Sequence, residues 1–246
     1  MPNVIGIIPA RYQSKRFPGK PLALISGVPL VVRVMRSAQT SHRLNDIMVA
    51  TDDHRIAEAV RDYGGKAVLS KNDHLTGSDR AAEIAAGLDC DFVVNIQGDE
   101  PFLSGEIVDK VIAQLESPDV VMSTACSPLR GSDDDPNVVK VVMDRSGNAL
   151  YFSRSRIPFD RSGNCERFYR HIGIYGFKRD FLLRYANLPR TPLEICESLE
   201  QLRALEHGYK IRVIVVDFDF VGIDSINDLS RAEEILSRLG KRNDEQ

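Results

Sequence analysis

The sequence has few of the features that indicate a membrane-spanning or disulfide-stabilised protein. Its apolar runs all fall short of the roughly 20 residues that a transmembrane helix needs. Its four cysteines, Cys90, Cys126, Cys165 and Cys196, are widely separated and lack the paired spacing of a zinc site. The chain begins directly with a predicted strand, so we expect no signal peptide. These absences predict a cytoplasmic protein whose cysteines are free thiols.

An excess of charge of one sign is also missing, and so are repeats and low-complexity segments. The 32 basic and 35 acidic residues leave a formal net charge of -3, which gives no global attraction to nucleic acid or to an anionic membrane. With 246 residues and a hydrophobic fraction of 43%, the chain can bury a full core without a disulfide or a structural metal. We therefore expect residues 1–246 to form one domain.

The first half of the chain alternates between Val- and Ile-rich segments and amphipathic segments. Strands are predicted at 3–9, 46–51, 66–69, 91–97 and 119–125, and helices at 29–41, 53–63, 78–88 and 105–116. Such alternation favours an α/β fold with three layers, in which helices cover both faces of a mostly parallel sheet.

The pattern changes after about residue 126. Segments 138–143 and 149–153 flank a turn and predict a hairpin. The later predicted elements are strands at 170–177 and 211–216 and helices at 178–186, 193–207 and 226–239. We interpret residues 127–177 as a small β-containing insertion that extends the sheet or reaches a partner subunit.

A basic loop follows the first predicted strand. It carries Arg11, Lys15, Arg16 and Lys20 without any acidic residue. In open α/β sheets ligands bind beyond the carboxyl ends of the strands, so a basic, glycine-containing loop at this place indicates a polyphosphate site. The loop matches neither the Walker A pattern nor Gly-x-Gly-x-x-Gly, which disfavours a P-loop ATPase and an NAD enzyme. A solvated surface turn is the alternative interpretation.

An acidic turn follows the predicted strand 91–97. Asp99 and Glu100 should repel a neighbouring polyphosphate unless a hard cation lies between them, and Mg²⁺ fits because one or two carboxylates plus substrate phosphates usually hold it. Asp224, from a distant segment, would complete such a site. The alternatives are an acidic turn in which Asp99 acts as a cap, and an Asp224 that only decorates the start of the last helix.

Two further groups of polar side chains have a functional and a structural interpretation. His171 and Tyr175 are four residues apart on a predicted strand, so they share one face and could bind a polyol and a carboxylate. A half-buried packing pair is the commoner fate of such residues. Glu200 and Gln201 lie on the predicted helix 193–207, whose polar residues are otherwise expected to form a solvated face.

Several short segments together resemble those of one family. They are Ile8-Pro9-Ala10-Arg11, Pro18-Gly19-Lys20-Pro21, Ala50-Thr51-Asp52, Gly77-Ser78-Asp79-Arg80, Asn95-Ile96-Gln97-Gly98-Asp99-Glu100-Pro101, Tyr151-Phe152-Ser153-Arg154, His171-Ile172-Gly173-Ile174-Tyr175-Gly176 and Leu199-Glu200-Gln201-Leu202-Arg203. This combination covers nearly the whole chain and is similar to the 3-deoxy-manno-octulosonate (Kdo) cytidylyltransferases. The Tyr-Phe-Ser-Arg and Leu-Glu-Gln-Leu-Arg segments separate this family from the enzymes that activate sialic acid.

The resemblance implies a fold, a reaction and roles for individual residues. The fold is that of nucleotide-diphospho-sugar transferases. The implied enzyme is a homodimer that uses Mg²⁺ to form CMP-Kdo and pyrophosphate from CTP and Kdo, for lipopolysaccharide assembly in a Gram-negative bacterium. The implied roles are Arg11 and Lys20 for the triphosphate, Ala10, Ser78 and Gln97 for the nucleotide, Asp99 and Asp224 for Mg²⁺, and Arg80, Gln97, His171, Tyr175, Glu200 and Gln201 for the sugar acid. One departure is Ile226, which replaces the proline that commonly starts the last helix.

Other functions remain open at this point. Nothing in the motifs excludes 8-amino-Kdo as the acceptor, and a sialic acid is a further alternative. A nucleotidyltransferase for a phosphorylated sugar or polyol would need a second basic cluster, which is not evident in the sequence. A non-catalytic CTP-binding regulator is expected to lack a metal carboxylate, whereas Asp99 and Asp224 are both present.

Overall fold

A computed structural model describes residues 1–13, 17–71, 74–129, 134–165, 167–217, 222–223 and 225–243. Its strands are β1 (Val4–Ala10), β2 (Leu24–Ile25), β3 (Val28–Pro29), β4 (Asp46–Thr51), β5 (Lys66–Leu69), β6 (Phe92–Ile96), β7 (Met122–Pro128), β8 (Lys140–Met143), β9 (Ala149–Ser153), β10 (Tyr169–Lys178) and β11 (Arg212–Val215). Its α-helices are α1 (Leu30–Ala38), α2 (His54–Asp62), α3 (Gly77–Ala86), α4 (Gly105–Leu115), α5 (Arg179–Tyr185), α6 (Pro192–Glu197), α7 (Gln201–Glu206) and α8 (Ile226–Asn243).

The main sheet confirms the predicted α/β class. Its strands lie in the order β11-β7-β10-β6-β1-β4-β5, and β8 and β9 are attached beside β10. Strands β6, β1, β4 and β5 are parallel neighbours, whereas β10 runs antiparallel to both β6 and β7. Because β1 is flanked by β4 on one side and β6 on the other, the strand order reverses there. The carboxyl ends of β1 and β6 therefore border the crevice in which such sheets bind ligands.

Strand β1 shows why the chain builds a core on both faces of the sheet. Ile7 and Ile8 are both fully buried, yet they belong to different apolar clusters. Successive side chains of a strand point to opposite faces, so a continuous apolar run fits a strand that is covered on both sides. Helices α1 and α4 pack on one face, and α3, α5 and α7 pack on the other. The sheet thus forms the middle of three layers.

The predicted hairpin of the insertion is present. Strands β8 and β9 are antiparallel, and Asp144 closes the turn by accepting hydrogen bonds from the backbone N–H groups of Ser146 and Asn148. Strand β8 also pairs with β10 at Lys140 and Arg170, so the hairpin is attached to the main sheet, in which β10 lies between β7 and β6. All four cysteines are free thiols. Within the described part of the chain, no helix has both the length and the apolar character needed to span a membrane.

The single helix predicted at 193–207 is wrong, because the structure divides it into α6 and α7. Ser198 adopts a left-handed conformation with φ of 52° and ends α6. Tertiary contacts outweigh local propensity here: the Glu197 carboxylate accepts hydrogen bonds from Ser153 Oγ and from the N–H of Arg154. The break leaves Glu200 and Gln201 at the start of a new helix that faces a cavity.

Candidate active site

The candidate site lies where β1 and β6 end. Arg11 follows β1, and the turn from Gln97 to Pro101 follows β6. Strand β10 runs in the opposite direction, so its first residues reach the same edge of the sheet. There the Gln97 N–H donates to the Gly173 carbonyl at 3.1 Å. Two loops predicted from separate parts of the sequence are therefore neighbours, together with the start of β10.

Lys20 and Asp99 form the centre of this site. Lys20 Nζ donates to Asp99 Oδ2 at 2.8 Å and to the Ile223 carbonyl at 2.6 Å. The Ile223 N–H in turn donates to the Asp99 carbonyl at 3.0 Å, so the basic loop, the acidic turn and residue 223 converge. The side chains of Lys20 and Asp99 are 15% and 34% exposed, which leaves both groups open to a ligand. The predicted metal ligand Asp224 lies outside the described residues, as do positions 14–16 of the basic loop.

The described part of the basic loop is held by Gly19 and Tyr12. Gly19 has φ of 74°, and its N–H donates to the Tyr12 carbonyl at 2.9 Å. A Cβ at Gly19 would lie 3.2 Å from the Tyr12 ring, so glycine satisfies both the backbone conformation and the close contact. The Arg55 guanidinium lies 3.5 Å from the centroid of the Tyr12 ring. The role of Arg55 could not be predicted from the sequence, because nothing local links helix α2 to this loop.

A pocket of about 100 Å³ lies beside the end of β1, at the start of helix α3. It is lined by Pro9, Ala10, Arg11, His74, Thr76, Gly77, Arg80 and Gln97. The pocket therefore brings together three residues of the predicted nucleotide site, Ala10, Arg11 and Gln97. An arginine and a helix N-terminus at one pocket favour an anionic ligand.

Ser78 and Arg80 take different places around this pocket. Ser78 is 1% exposed, and its Oγ accepts a hydrogen bond from Asn95 Nδ2 at 3.0 Å. Arg80 donates to Asp52 Oδ2 at 2.9 Å and to the Lys71 carbonyl at 3.1 Å. Arg80, which the resemblance assigns to the sugar, lines this pocket together with Ala10 and Arg11, because it extends from α3 towards the loops after β4 and β5.

A second cavity, of about 270 Å³, opens on the other side of Gln97. Its lining includes five residues of the predicted sugar site, namely Gln97, His171, Tyr175, Glu200 and Gln201. Asp99 and Glu100 also line it, so the acidic turn borders this cavity directly. Gln97 is common to both pockets, which places it where a nucleotide and a second substrate would meet.

The expectation that His171 and Tyr175 share a face is confirmed, although the strand is irregular between them. Ile172 pairs with Ala125, whereas Tyr175 pairs with Thr124, so β10 carries two extra residues. Because a strand repeats every two residues, an insertion of two keeps both side chains on the same face. Their ring centroids are 5.4 Å apart.

Tyr175 and Gln201 form a buried hydrogen-bonded pair at the cavity wall. The Tyr175 hydroxyl donates to Gln201 Oε1 at 3.0 Å, and burial raises the pKa of Tyr175 well above its ordinary value, so the hydroxyl keeps its proton. Gln201 Nε2 is buried and has no hydrogen-bond partner among the described residues. Because Gln201 lines the cavity, this amide offers an open donor to a ligand.

Glu200 connects the second cavity to helix α3. Its Oε2 accepts a hydrogen bond from the Ser78 N–H at 3.1 Å, while the residue itself lines the cavity. Burial raises the pKa of Glu200, which the hydrogen bonds from Thr76 and Ser78 oppose. One carboxylate therefore contacts the first turn of α3 and also borders the second cavity.

Two basic residues hold the walls of the second cavity: Arg154, which the sequence indicates only as part of a family segment, and Lys140, which no motif indicates. Arg154 donates to the carbonyls of Glu197, at 2.8 Å, and Pro136, at 3.0 Å. Lys140 is fully buried, and its Nζ donates to the carbonyls of Asp135, Val138 and Arg154 at 2.7–2.8 Å. A lysine inside an apolar strand segment was the available signal, because lysine is rarely buried without a specific partner.

His171 is expected to make the stability of the protein depend on pH. Burial, assisted by the charge of Arg170, lowers the pKa of His171 from 6.5 to about 3. In the unfolded chain His171 binds a proton at about pH 6.5, whereas in the folded chain it stays neutral at that pH. Its contribution to the free energy of unfolding is therefore fully present above about pH 6.5 and is lost as the pH falls below that value. Between about pH 7 and about pH 5, wild type should lose about 2 kcal/mol more free energy of unfolding than His171→Gln.

Urea unfolding of both proteins at the two pH values measures this difference. The substitution His207→Gln, at an exposed ring, separates the effect of His171 from the loss of a histidine as such. An identical pH dependence in wild type and His171→Gln would contradict a His171 that stays neutral in the folded protein.

The sequence of this chain is similar to those of known cytidylyltransferases. The family model for cytidylyltransferases matches residues 5–211. A protein of Geobacter metallireducens named 3-deoxy-manno-octulosonate cytidylyltransferase is 46% identical over 96% of this chain and 99% of its own. Proteins of the same name from Pelobacter propionicus and Acaryochloris marina are each 45% identical, over 94% and 96% of this chain and 96% and 98% of their own.

Solved structures show the same likeness in three dimensions. A CMP:2-keto-3-deoxy-manno-octonic acid synthetase complexed with CTP aligns over 96% of this chain and 99% of its own, with a TM-score of 0.91 and 37% identity. A 4-diphosphocytidyl-2C-methyl-D-erythritol synthase from Anaerococcus prevotii aligns over 96% of each chain with a TM-score of 0.64 and 14% identity, which concerns the fold alone. The high score of the first comparison confirms the expected fold of nucleotide-diphospho-sugar transferases.

Proposed function

The chain belongs to the 3-deoxy-manno-octulosonate cytidylyltransferase family, and from this premise we propose that it transfers CMP from CTP to the anomeric hydroxyl of Kdo and releases pyrophosphate. The observation that carries the proposal is the meeting of two pockets at Gln97, with the Lys20–Asp99 pair at the same edge. Two substrates bound on either side of Gln97 would have their reacting atoms next to a cation and a carboxylate.

The first pocket is proposed to hold the nucleotide. Arg11 offers a planar fork of donors to phosphate oxygens, and the start of α3 adds a favourable dipole for an anion. Ala10 and Gly77 allow the backbone to approach a base or ribose closely, and a Cβ at Gly77 would lie 3.1 Å from Gln97 Nε2. Ser78 supports this region from within, through its bond with Asn95.

The second cavity is proposed to hold the sugar acid. It offers a polyol several hydrogen-bonding groups, from Gln97, His171 and Glu200. Arg154 and Arg170 also line it, and their positive charges make it electrostatically suitable for a substrate that carries a carboxylate. The sequence alone did not reveal this pair of arginines near the predicted acceptor site, since Arg154 follows β9 whereas Arg170 lies in β10.

The residues of the site are proposed to act mainly by positioning and by charge. The anomeric hydroxyl attacks the α-phosphorus in line with the departing pyrophosphate, which requires little covalent chemistry from the protein. Lys20 and Arg11 stabilise negative charge on the phosphate oxygens. Lys20 is suited to this role because its side chain is already held by the Ile223 carbonyl and by Asp99, which lines the second cavity.

Asp99 is proposed to hold Mg²⁺, with Asp224 as the second carboxylate. The described residues contain no group of three or more metal-binding side chains. Mg²⁺ usually needs only one or two carboxylates together with substrate phosphates, and the partly exposed Asp99 carboxylate at the cavity edge supplies such a ligand. When bound, Mg²⁺ neutralises phosphate charge and lowers the pKa of a coordinated hydroxyl.

A homodimer is proposed as the working assembly. The insertion at 127–177 carries two strongly exposed apolar side chains, Leu150 at 62% and Phe159 at 85%. A second copy of the chain that covers them would remove this apolar surface from water. We further propose a cytoplasmic enzyme whose product is used in lipopolysaccharide assembly, in line with the resemblance and with four free thiols.

Pyrophosphate release tests the proposed function. The purified protein with Mg²⁺ is incubated with each of the four ribonucleoside triphosphates and with Kdo, 8-amino-Kdo or sialic acid. Release is expected with CTP and Kdo, together with formation of CMP-Kdo. Release with 8-amino-Kdo in preference to Kdo would favour the alternative acceptor. CTP binding without release for any of the three sugars would contradict the proposal and favour a non-catalytic regulator.

A further inference from the structure

Thr124 of β7 is a buried hydroxyl with more than one neighbour. It is fully buried, and its Oγ1 donates to the Ile174 carbonyl at 2.7 Å, with the Ile172 carbonyl farther away at 3.5 Å. Both carbonyls belong to the irregular part of β10. A hydroxyl has a single proton. Because the Ile174 carbonyl can only accept, this proton is already committed to the backbone.

The direction of the Thr124 hydroxyl proton determines which ring nitrogen of His171 carries a hydrogen. Thr124 Oγ1 lies 2.8 Å from His171 Nε2. Since the hydroxyl proton is directed at Ile174, Oγ1 can only accept from His171, and Nε2 must therefore carry the hydrogen. A neutral imidazole has one N–H, so Nδ1 has a free lone pair. The low pKa of His171, about 3, agrees with a neutral ring.

The surroundings of His171 keep the ring in one orientation. The Phe152 ring contacts it edge-on with a centroid distance of 5.0 Å, and the Tyr175 ring lies at 5.4 Å. Gly173, in the irregular part of β10, packs closely against the neighbouring Gln97, since a Cβ there would lie 2.8 Å from Gln97 Cγ. Thr124 contacts two parts of this cavity wall, because its Oγ1 lies within hydrogen-bond distance of both the Ile174 carbonyl and His171 Nε2.

We propose that Thr124 is a positioning residue that fixes the Nε2–H tautomer of His171, so that Nδ1 accepts a hydrogen bond from a hydroxyl of the bound sugar. This inference rests on the proposed function, because it specifies what the sugar presents to His171. An imidazole lone pair repels a carboxylate, so the carboxylate of the sugar lies elsewhere in the cavity. That carboxylate is bound by Gln201 Nε2, a donor without a partner among the described residues, and by the guanidinium of Arg170.

The tautomer can be measured without any substrate. Long-range ¹H–¹⁵N correlation spectra of the ¹⁵N-labelled protein at neutral pH distinguish a protonated from an unprotonated ring nitrogen, and His171→Gln identifies the signals. We expect Nε2 to be protonated and Nδ1 to be unprotonated in wild type. A His171 with the proton on Nδ1, or on both nitrogens, would overturn the inference whether or not the protein transfers CMP.

Two variants test what the tautomer does for the sugar. Thr124→Val keeps the shape of the side chain but removes the hydroxyl, whereas Thr124→Ser keeps the hydroxyl. Loss of one hydrogen bond should raise the KM for Kdo in Thr124→Val by about five- to tenfold, while the KM for CTP changes less than twofold. Thr124→Ser should restore the KM for Kdo.

The outcomes separate this inference from the proposed function. If wild type shows no transfer from CTP to Kdo, the proposed function fails while the NMR result still decides the tautomer. If wild type is active and Thr124→Val has the same KM for Kdo as Thr124→Ser, the positioning role is wrong. Equal increases in both KM values would mean a general loss of structure, which would also contradict a specific role.

Discussion

Asp99→Asn is expected to lower kcat by on the order of 10³-fold, equivalent to about 4 kcal/mol of transition-state stabilisation. Asparagine keeps the size of the side chain but removes the negative charge that holds Lys20 Nζ at 2.8 Å. It also removes the carboxylate that we propose as a ligand of Mg²⁺, a cation that prefers charged oxygen ligands. The substitution would thus remove both the ion pair with Lys20 and the proposed metal ligand, while the volume of the side chain stays nearly the same.

Turnover measured across a range of Mg²⁺ concentrations checks this result. Asp180→Asn is the matched control, because that side chain is 89% exposed and lies at the start of α5. The control should keep wild-type turnover. Near wild-type turnover of Asp99→Asn at saturating Mg²⁺ would show that Asp99 does not hold the metal, whereas the Kdo and CTP sites would remain as proposed.

Lys20→Met should lower kcat by about 10²- to 10³-fold, the cost of removing one preorganised donor from a developing negative charge. Methionine retains most of the length of the side chain and its apolar contacts. The lost group is the ammonium that donates to the Ile223 carbonyl and to Asp99, a residue of the second cavity. If Lys20 acts on the transition state, kcat and kcat/KM for CTP fall by similar factors.

The control for this substitution is Lys66→Met. Lys66 is an exposed lysine that pairs with Asp46 at 2.6 Å, away from the described site. A higher KM for CTP with an unchanged kcat in Lys20→Met would mean that Lys20 only binds the nucleotide in the ground state. That result would remove Lys20 from the mechanism but would leave it in the nucleotide site.

The fold follows from the sequence where local patterns and tertiary contacts agree. The apolar run around Ile7 and Ile8 predicts a strand covered on both sides, and the structure buries both residues in separate clusters. The expectation failed at Ser198, where a helical pattern continues through a left-handed residue. Hydrogen bonds from Ser153 and Arg154 to Glu197 stabilise that break, and these partners are more than 40 residues away in the chain.

The sequence by itself determined the chemical types of the site and their order along the chain: bases after the first strand, carboxylates after a later one, and a resemblance that supplied candidate substrates. Only the tertiary structure decided which groups meet. Arg80 and Arg11 line the same pocket, Lys140 donates to the Arg154 carbonyl in the wall of the second cavity, and Thr124 lies within hydrogen-bond distance of His171. The physical reason is that the direction of a hydrogen bond depends on atoms brought together by strand pairing, and the proton of Thr124 is committed only once β7 and β10 are adjacent.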